Sequence, residues 1–465
     1  MTRDLLALAF ANGCLVLAGH GVLRAIGFGP SPRDLPWSLG VAYLAGTAAV
    51  GVLGSILLVA GLSLTAAQLV ALSLALLAFG LARRGELRRP ERVPTLGLLR
   101  LFPWATGIAL AILAVDLAVQ PIWADDTWSI WTIKAASIVE LDGLGPAFLS
   151  SAAVFNADYP LIVPVLELVA LRFAGWPTEL VPLQLGLVFI AFPAALVALL
   201  REWVRPLVLW TVVLAVAVAP SLQVQTASTV ADVTLAVYFA LAGVAGWRWV
   251  ETRQRELLLL AGVFGAAAVG AKTEGIVFVV VLFAALAVAS RSRAAVAVGL
   301  AAVLTLLPWE LWTRRHDLDN AIAAAGGASL GPAARLPQAG LDVASELADP
   351  SSWLGLVALG CAAVVVGFLR DERRIAVFTA AVALACLVAL LVAYWTTPLD
   401  FDYHVATSVR RVVTAPVLFV AAMTPLLLGR VGVDRKRAVG HPRDRELGPG
   451  ARRPRGAEAA AEPGV

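Results

Sequence analysis

The residues best suited to chemistry lie in one short stretch, WADDTWSIWTIK, which covers positions 123–134. Asp125 and Asp126 are adjacent carboxylates, and Lys134 follows about two helical turns later. A carboxylate can act as a general base toward a hydroxyl, which typically accelerates a reaction ~10²–10⁴-fold. Two adjacent acids repel each other, so their proton affinities separate and they can take different roles. The stretch therefore predicts an acid–base site, with capping of the helix that follows as the alternative.

The composition predicts where this stretch lies. The chain has 465 residues, of which 60% are hydrophobic and 15% charged, and its mean hydropathy is +0.84. A soluble protein of this length needs far more polar surface. Apolar runs of roughly 18–23 residues match the thickness of a bilayer. We therefore expect an all-α polytopic membrane protein with about thirteen transmembrane helices. The expected spans are 5–24, 38–60, 64–82, 98–119, 179–200, 206–221, 228–248, 257–271, 275–290, 294–313, 353–369, 375–396 and 411–430.

The order of these runs predicts three parts. Residues 1–97 carry the first helices and a basic cytoplasmic loop, residues 98–430 form a transmembrane core, and residues 431–465 form a disordered cytoplasmic tail. The outer loops of the core are expected at 120–178, 314–352 and 397–410. Within the first, the apolar piece 160–176 is short and contains Glu167 and Arg172, which favours an outer-face or interfacial helix. The second is rich in Ala, Gly and Pro, which is typical of a flexible loop.

The distribution of charge predicts two unlike faces. Short arginine clusters, of which ARRGELRRPER (82–92) is the strongest, fall on one side and indicate the cytoplasm. This explains the net charge of +4 without a nucleic-acid partner. The opposite, outer face receives most of the unusual polar residues, which mark function or serve as interfacial anchors. Besides Asp125, Asp126 and Lys134, they are Asp158, Tyr159, Asp232, Lys272, Glu274, His404, Arg410 and Arg411.

The residue types on the outer face suit glycosyl transfer from a lipid phosphate. Lysine and arginine from separate loops can bind a phosphate leaving group, and arginine can do so through two parallel hydrogen bonds. Tryptophans can contact a sugar or a prenyl chain, or form an aromatic belt at the membrane interface. The three cysteines lie in apolar runs, and no second histidine lies at metal-ligand spacing from His404. No cofactor or metal site is predicted, and dependence on a divalent cation stays open.

Five short motifs resemble those of a known family. The pattern D-x-W-x-x-W-x-x-K-A, present as DTWSIWTIKA, resembles the first outer loop of bacterial GT-C membrane glycosyltransferases. These are relatives of the protein mannosyltransferases and of the aminoarabinose transferases. Four further stretches agree in order and extend the resemblance over roughly residues 120–415: ADYPLIVP (157–164), ADVTLA (231–236), AKTEG (271–275) with LPW (307–309), and YHVATSVRR (403–411).

The resemblance implies a GT-C fold and a set of roles. Asp126 would be the catalytic base and Asp125 its acidic neighbour. The donor would be a polyprenyl-phosphate-linked sugar, and the acceptor a hydroxyl on a glycan, a lipid or a protein. Lys272, Arg410 and Arg411 would contact the donor phosphate, with His404 nearby. The remaining residues expected to bind substrate are Lys134, Asp158, Tyr159, Asp232 and Glu274.

Two other functions fit the same sequence. A transporter or flippase of lipid-linked or small polar substrates would use intramembrane acids for proton coupling. A catalytically inactive relative would bind lipid-linked glycans. Each site residue also has a structural alternative, namely a helix cap, a turn, an ion pair between loops or a contact with lipid headgroups.

Overall fold

The computed structural model describes residues 2–28, 35–83, 97–151, 153–175, 180–318, 330–370 and 372–430. These residues form helices joined mostly by short turns, and within these ranges the β-type pairing is one isolated bridge between Val204 and Arg430. The all-α prediction is therefore confirmed. The predicted tail at 431–465 and most of the basic loop at 82–92 lie outside the described residues.

The helices are numbered in chain order. The first seven are α1 (Thr2–Ile26), α2 (Leu35–Val59), α3 (Ala66–Ala82), α4 (Leu101–Val119), α5 (Ile133–Glu140), α6 (Pro146–Leu149) and α7 (Ile162–Ala174), with a π-helix at Thr127–Thr132 before α5. The next eight are α8 (Val181–Leu200), α9 (Pro206–Val218), α10 (Pro220–Ala227), α11 (Ala231–Thr252), α12 (Arg255–Ala271), α13 (Glu274–Ser290), α14 (Arg293–Leu304) and α15 (Leu307–Arg315). The last six described helices are α16 (Arg335–Ala348), α17 (Pro350–Trp353), α18 (Leu356–Leu369), α19 (Arg373–Thr396), α20 (Phe401–Val412) and α21 (Thr414–Leu428).

The helices support a multi-pass membrane protein. Within the described ranges, eight helical segments are long and apolar enough to cross a bilayer, or nine if the bent pair α9 and α10 is one span. Each of the thirteen expected spans overlaps a helix, but α3, α13 and α18 are shorter apolar helices of 14–17 residues. The count of thirteen therefore stays a prediction.

One expected span is interrupted. The run at 206–221 was expected as a single helix, but the chain bends by 48° between α9 and α10. Pro220 explains the break because proline has no amide hydrogen and disfavours helical backbone at the residue before it. Ala219 is accordingly extended, with φ −63° and ψ 118°.

Each of the three expected outer loops contains helix. The piece 160–176 was expected at the outer face or interface, but its helix α7 is buried along Ile162–Leu171 and packs against α1, α2, α5 and α8. The segment 314–352 was expected to be a flexible loop, and its residues 319–329 lie outside the described residues. In its described part, Arg335–Ala348 is a helix that packs against α19 and α20 through Ala339 and Val343. The last loop, 397–410, is mostly the helix α20, which Asp400 caps by accepting from the Tyr403 amide (2.8 Å).

The helix α11 is the centre of the bundle. Every residue from Ala231 to Val250 is buried, and α11 packs against α8, α12, α13 and α21. Its 22 residues span about 33 Å, so its two ends lie at opposite ends of the bundle. Beside its last turn, Arg430 pairs with Glu251 and Glu372, and Arg253 donates to the Ser290 carbonyl (2.8 Å). The arginine-rich turns therefore share the end of the bundle at which α11 finishes.

The first two helices cross at glycines. A Cβ atom on Gly19 would overlap the carbonyl oxygen of Ala42, and one on Gly46 would overlap that of Leu15. The backbones of α1 and α2 therefore touch, as small residues allow in membrane helix pairs. Gly13, which lies in the same helix α1, is exposed and would place its Cβ atom in open space.

Gly19 and Gly13 provide a matched pair for testing this crossing. We expect Gly19→Ala to destabilise the protein by about 1–3 kcal/mol, because overpacking forces the two backbones apart. Gly13→Ala should be neutral or stabilising by up to about 1 kcal/mol, because alanine is the better helix former. Unfolding of both variants in detergent measures the difference, and equal stabilities would show that α1 and α2 do not make this contact.

Candidate functional site

The acidic stretch is held in place by a pair of threonines. Thr127 is buried at the start of the π-helix and donates to the carbonyl oxygen of Ser228 (2.5 Å). The hydroxyl of Thr229 donates in turn to that of Thr127 (3.1 Å). Thr229 has φ 56°, a left-handed conformation that is costly for a β-branched residue. These bonds fasten the stretch to the turn that immediately precedes α11.

Asp126 forms an ion pair with Arg411, which lies 285 positions later near the end of α20. Asp126 stands at the capping position of the π-helix, but its side chain makes no capping hydrogen bond. Its carboxylate is about one third exposed, with 38% of the side-chain surface accessible, whereas Arg411 has 24% accessible. The capping alternative therefore does not apply to Asp126, whose side chain faces the C-terminal helices.

A second ion cluster lies at the turn between α12 and α13. The ammonium of Lys272 donates to Asp232 in the first turn of α11 (2.8 Å) and lies 3.1 Å from Glu274. Lys272 has an extended backbone, with φ −158°, and its side chain is buried. Burial opposes the charged form, but the two carboxylates outweigh it and raise the pKa of Lys272. Lys272 therefore carries a fixed positive charge at this end of the bundle.

The two clusters meet at a narrow cleft. Asp232, Glu274 and Arg411 line one part of it, and Leu235, Phe278, Leu390, Val412 and Ala415 supply its apolar walls. The cleft is too narrow for a water molecule in this conformation. Charges of both signs thus adjoin an apolar surface, an arrangement that suits an amphiphilic phosphate whose entry would separate the walls.

Tyr159 borders the same cluster. Its phenol is half-buried against Trp131, with ring centres 5.4 Å apart. Burial and the negative charge of Glu274 raise the pKa of Tyr159. The backbone of the preceding residue, Asp158, is fixed because Trp309 donates to its carbonyl oxygen (2.7 Å). Residues 158–159 therefore lie near the turn at residues 272–274. The sequence predicted that both segments lie on the same face.

Lys134 does not join the cleft. It is fully buried, and its ammonium donates to the backbone carbonyls of Asn156 (2.8 Å) and Tyr159 (3.1 Å). Burial lowers the pKa of Lys134 to about 7, although the negative charge of Asp158 opposes the change. Its observed role is to fasten the loop at 156–159 to α5, and both of its acceptors are backbone groups.

Arg410 also points away from Arg411. Its guanidinium approaches Glu346 (3.2 Å) and Asp349 (3.9 Å), so it ties α20 to α16. His404 approaches the hydroxyl of Thr397 (3.0 Å) and packs edge-on against Tyr394. These two residues support the helix that carries Arg411.

The stretch 123–134 places one of its tryptophans in the core and the other two, with Asp125, at the surface. Trp131 is buried, whereas Trp123 and Trp128 are 54% and 45% exposed. Asp125 is exposed beside Asp126, and its backbone carbonyl accepts from Ser129 (2.8 Å). The two exposed tryptophans remain compatible with either a sugar contact or an aromatic belt.

Two polar residues near the site were not predicted as site residues. Glu167 is fully buried in α7, where Thr132 donates to it (3.1 Å), and burial raises its pKa well above the ordinary value. Gln225 in α10 bonds to the hydroxyl of Thr414 (2.8 Å) and to the carbonyl of Arg410 (3.3 Å). Glu167 could have been predicted because it is an acid within an apolar helix. Nothing in the sequence around Gln225 distinguishes it from an ordinary polar residue.

The described residues contain no group of three or more His, Cys, Asp or Glu side chains arranged to hold a metal ion. Comparison with protein-family models, with curated proteins and with solved structures finds no match to this chain. The site is therefore interpreted from its own geometry.

The buried Lys134 predicts a specific pH dependence of stability. In the unfolded chain this lysine keeps its ordinary pKa of 10.5, whereas in the folded protein it loses its proton near pH 7. Between these values the unfolded state binds more protons, so stability should rise with pH from about 7 toward 10.5. Melting temperatures of the wild type and of Lys134→Met, measured across this range, should show a steeper rise in the wild type. Parallel pH profiles would show that Lys134 keeps its proton when folded.

Proposed function

We propose that this protein is a membrane glycosyltransferase of GT-C type that moves a sugar from a polyprenyl-phosphate donor to a hydroxyl acceptor. The contact between Asp126 and Arg411 carries the proposal, because it pairs a carboxylate with a cation that lines a partly apolar cleft. A lipid phosphate needs both a cation and an apolar surface, and a hydroxyl acceptor needs a base. The five motifs that resemble the GT-C family support the same reading.

The proposed reaction needs one base and one stabilised leaving group. Asp126 removes the proton of the acceptor hydroxyl, whose oxygen bonds to the anomeric carbon as the bond from that carbon to the phosphate oxygen breaks. The bonding electrons remain on the phosphate, which departs as the polyprenyl phosphate with one more negative charge. Attack opposite the departing oxygen inverts the anomeric configuration.

Arg411 and Lys272 are the cations assigned to the donor. Both are held by carboxylates in the described structure, Arg411 by Asp126 and Lys272 by Asp232 and Glu274. A bound phosphate would replace some of these carboxylates as the partner of the cations. When it replaces Asp126 at Arg411, Asp126 becomes free to accept the proton of the acceptor hydroxyl. The cations then stabilise the charge that develops on the phosphate during transfer. Arg410 acts indirectly, because its contact with Glu346 fixes the helix that presents Arg411.

The outer face of the membrane is the proposed location of the reaction. The site lies at the end of the bundle where α11 begins, and the arginine-rich turns lie at the end where α11 finishes. The positive-inside rule assigns the arginine-rich end to the cytoplasm. A donor in the outer leaflet would then lie on the same side of the membrane as the cleft, and the acceptor would be a glycan, lipid or protein of the cell envelope.

A transporter or flippase is the second candidate, favoured by the 48° bend between α9 and α10. Broken helices frequently form the substrate sites of transporters. Among the candidate spans of the described residues, however, only one helix is broken in this way. Transporters built from two repeats carry a broken helix in each repeat. The candidate site also lies at one end of the bundle instead of midway along it. These features favour transfer over transport.

Asp126→Asn tests the proposed base. Membranes containing the variant should transfer a labelled sugar from polyprenyl phosphate to endogenous acceptors at least about 100-fold more slowly than the wild type, because the amide cannot take the proton. Asp125→Asn is the matched comparison: it removes the same charge from the adjacent, exposed residue and leaves the pair of Asp126 with Arg411 in place, so it should slow transfer much less than Asp126→Asn does.

The other outcomes separate the candidates. Undiminished transfer by a folded Asp126→Asn variant would remove Asp126 as the base. Movement of the labelled donor across the membrane without transfer in the wild type would favour the flippase. Donor binding without either process would identify an inactive, glycan-binding relative.

A further inference from the structure

A basic cavity lies at the end of the bundle opposite to the candidate site. It has a volume of about 420 Å³ and is lined by Arg253, Arg291, Arg374 and residues 288–290, the last three of α13. Arg253 follows α11, Arg291 follows α13, and Arg374 lies in the first turn of α19. Three separate helix ends therefore contribute a guanidinium to one concave surface. The positive-inside rule accounts for arginines at this end but not for their convergence on one cavity.

Two of these arginines, Arg253 and Arg374, are positioned by carbonyl groups and aromatic rings. Arg253 donates to the Ser290 carbonyl (2.8 Å) and lies over the ring of Trp249. Arg374 donates to the Ala289 carbonyl and lies over Trp247. Carbonyl groups and aromatic rings orient a guanidinium without cancelling its charge as a carboxylate would. No carboxylate among the described residues lines the cavity or pairs with these three arginines.

The cavity borders an exposed apolar surface on α13. Val288 lines it and is 79% exposed, among the most exposed large apolar side chains of the described chain. Val280 and Val277, two and three turns earlier on α13, are also exposed, at 52% and 45%. An apolar strip on a span-like helix thus leads directly to a cluster of positive charge. A ligand that fits both parts has an anionic head and an apolar tail.

We propose that the Arg253–Arg291–Arg374 cavity binds the phosphate headgroup of an anionic phospholipid of the bilayer. The phosphodiester accepts hydrogen bonds from the guanidinium groups, and an acyl chain lies along the exposed valines of α13. Basic pockets between membrane helices at the cytoplasmic side are suited to anionic headgroups. This site lies apart from the cleft of Asp126 and does not depend on the proposed transferase activity.

The test uses the full-length protein in detergent with added phosphatidylglycerol as the probe. The cavity variant Arg253→Gln with Arg291→Gln is compared with the control Arg255→Gln with Arg293→Gln. The control removes the same charge from two exposed arginines of the same end that do not line the cavity. Bound lipid is counted by native mass spectrometry. We expect a loss of about fivefold in affinity for each cavity arginine removed, or on the order of 25-fold in the double variant, and no such loss in the control.

Two further probes distinguish the source of the anion. Phosphatidylcholine with the same acyl chains should bind more weakly than phosphatidylglycerol, and inorganic phosphate should not displace the lipid. Equal losses in the cavity and control variants would show general surface attraction and overturn the site. Displacement by inorganic phosphate at comparable concentration would show a free-anion site and overturn the lipid assignment. If the double variant does not fold, Arg374→Gln and its exposed neighbour Arg373→Gln make the same comparison.

Discussion

The ion pair between Asp126 and Arg411 is the interaction on which the candidate site depends. It joins the segment after α4 to the helix α20, 285 positions later, and Arg411 also lies near enough to Asp232 for their charges to interact. From Asp232 the contacts continue to Lys272 and Glu274. Charges that leave water are costly unless they are paired. Negative and positive charges alternate along these five groups, so that they can lie together beside an apolar cleft. The same pairing holds Arg411 and Lys272 where they could bind a phosphate.

The helices around this series explain why it forms at one end of the bundle. The buried helix α11 carries Asp232 in its first turn. In the turn before α11, the carbonyl oxygen of Ser228 accepts a hydrogen bond from the hydroxyl of Thr127. The short turn between α12 and α13 brings Lys272 to the same level, and α20 brings Arg411. At the far end, Arg430 joins Glu251 to Glu372. Each end thus has its own polar network, and the apolar helices between them keep the two apart.

The sequence predicted the helices well because membrane spans need long apolar runs, which are visible without a structure. It also predicted that Asp126, Asp232, Lys272, Glu274 and Arg411 lie at one end, and the structure brings them together. It could not predict which side chains face the cleft. Neighbours on a helix point about 100° apart, which sends Arg410 to Glu346 and Arg411 to Asp126. The π-helix at Thr127–Thr132 shifts the helical register, so Lys134 turns into the core instead of following Asp126.

A double-mutant cycle on Asp126 and Arg411 tests the central claim most directly. Unfolding free energies of Asp126→Asn, Arg411→Gln and the combined variant, measured in detergent, give the coupling energy between the two side chains. If they meet as described, the coupling should be at least about 0.5 kcal/mol, with the double variant losing less than the sum of the single losses. Additivity within about 0.3 kcal/mol would show that Asp126 and Arg411 do not interact, and the proposed site would then lose its base and its cation together.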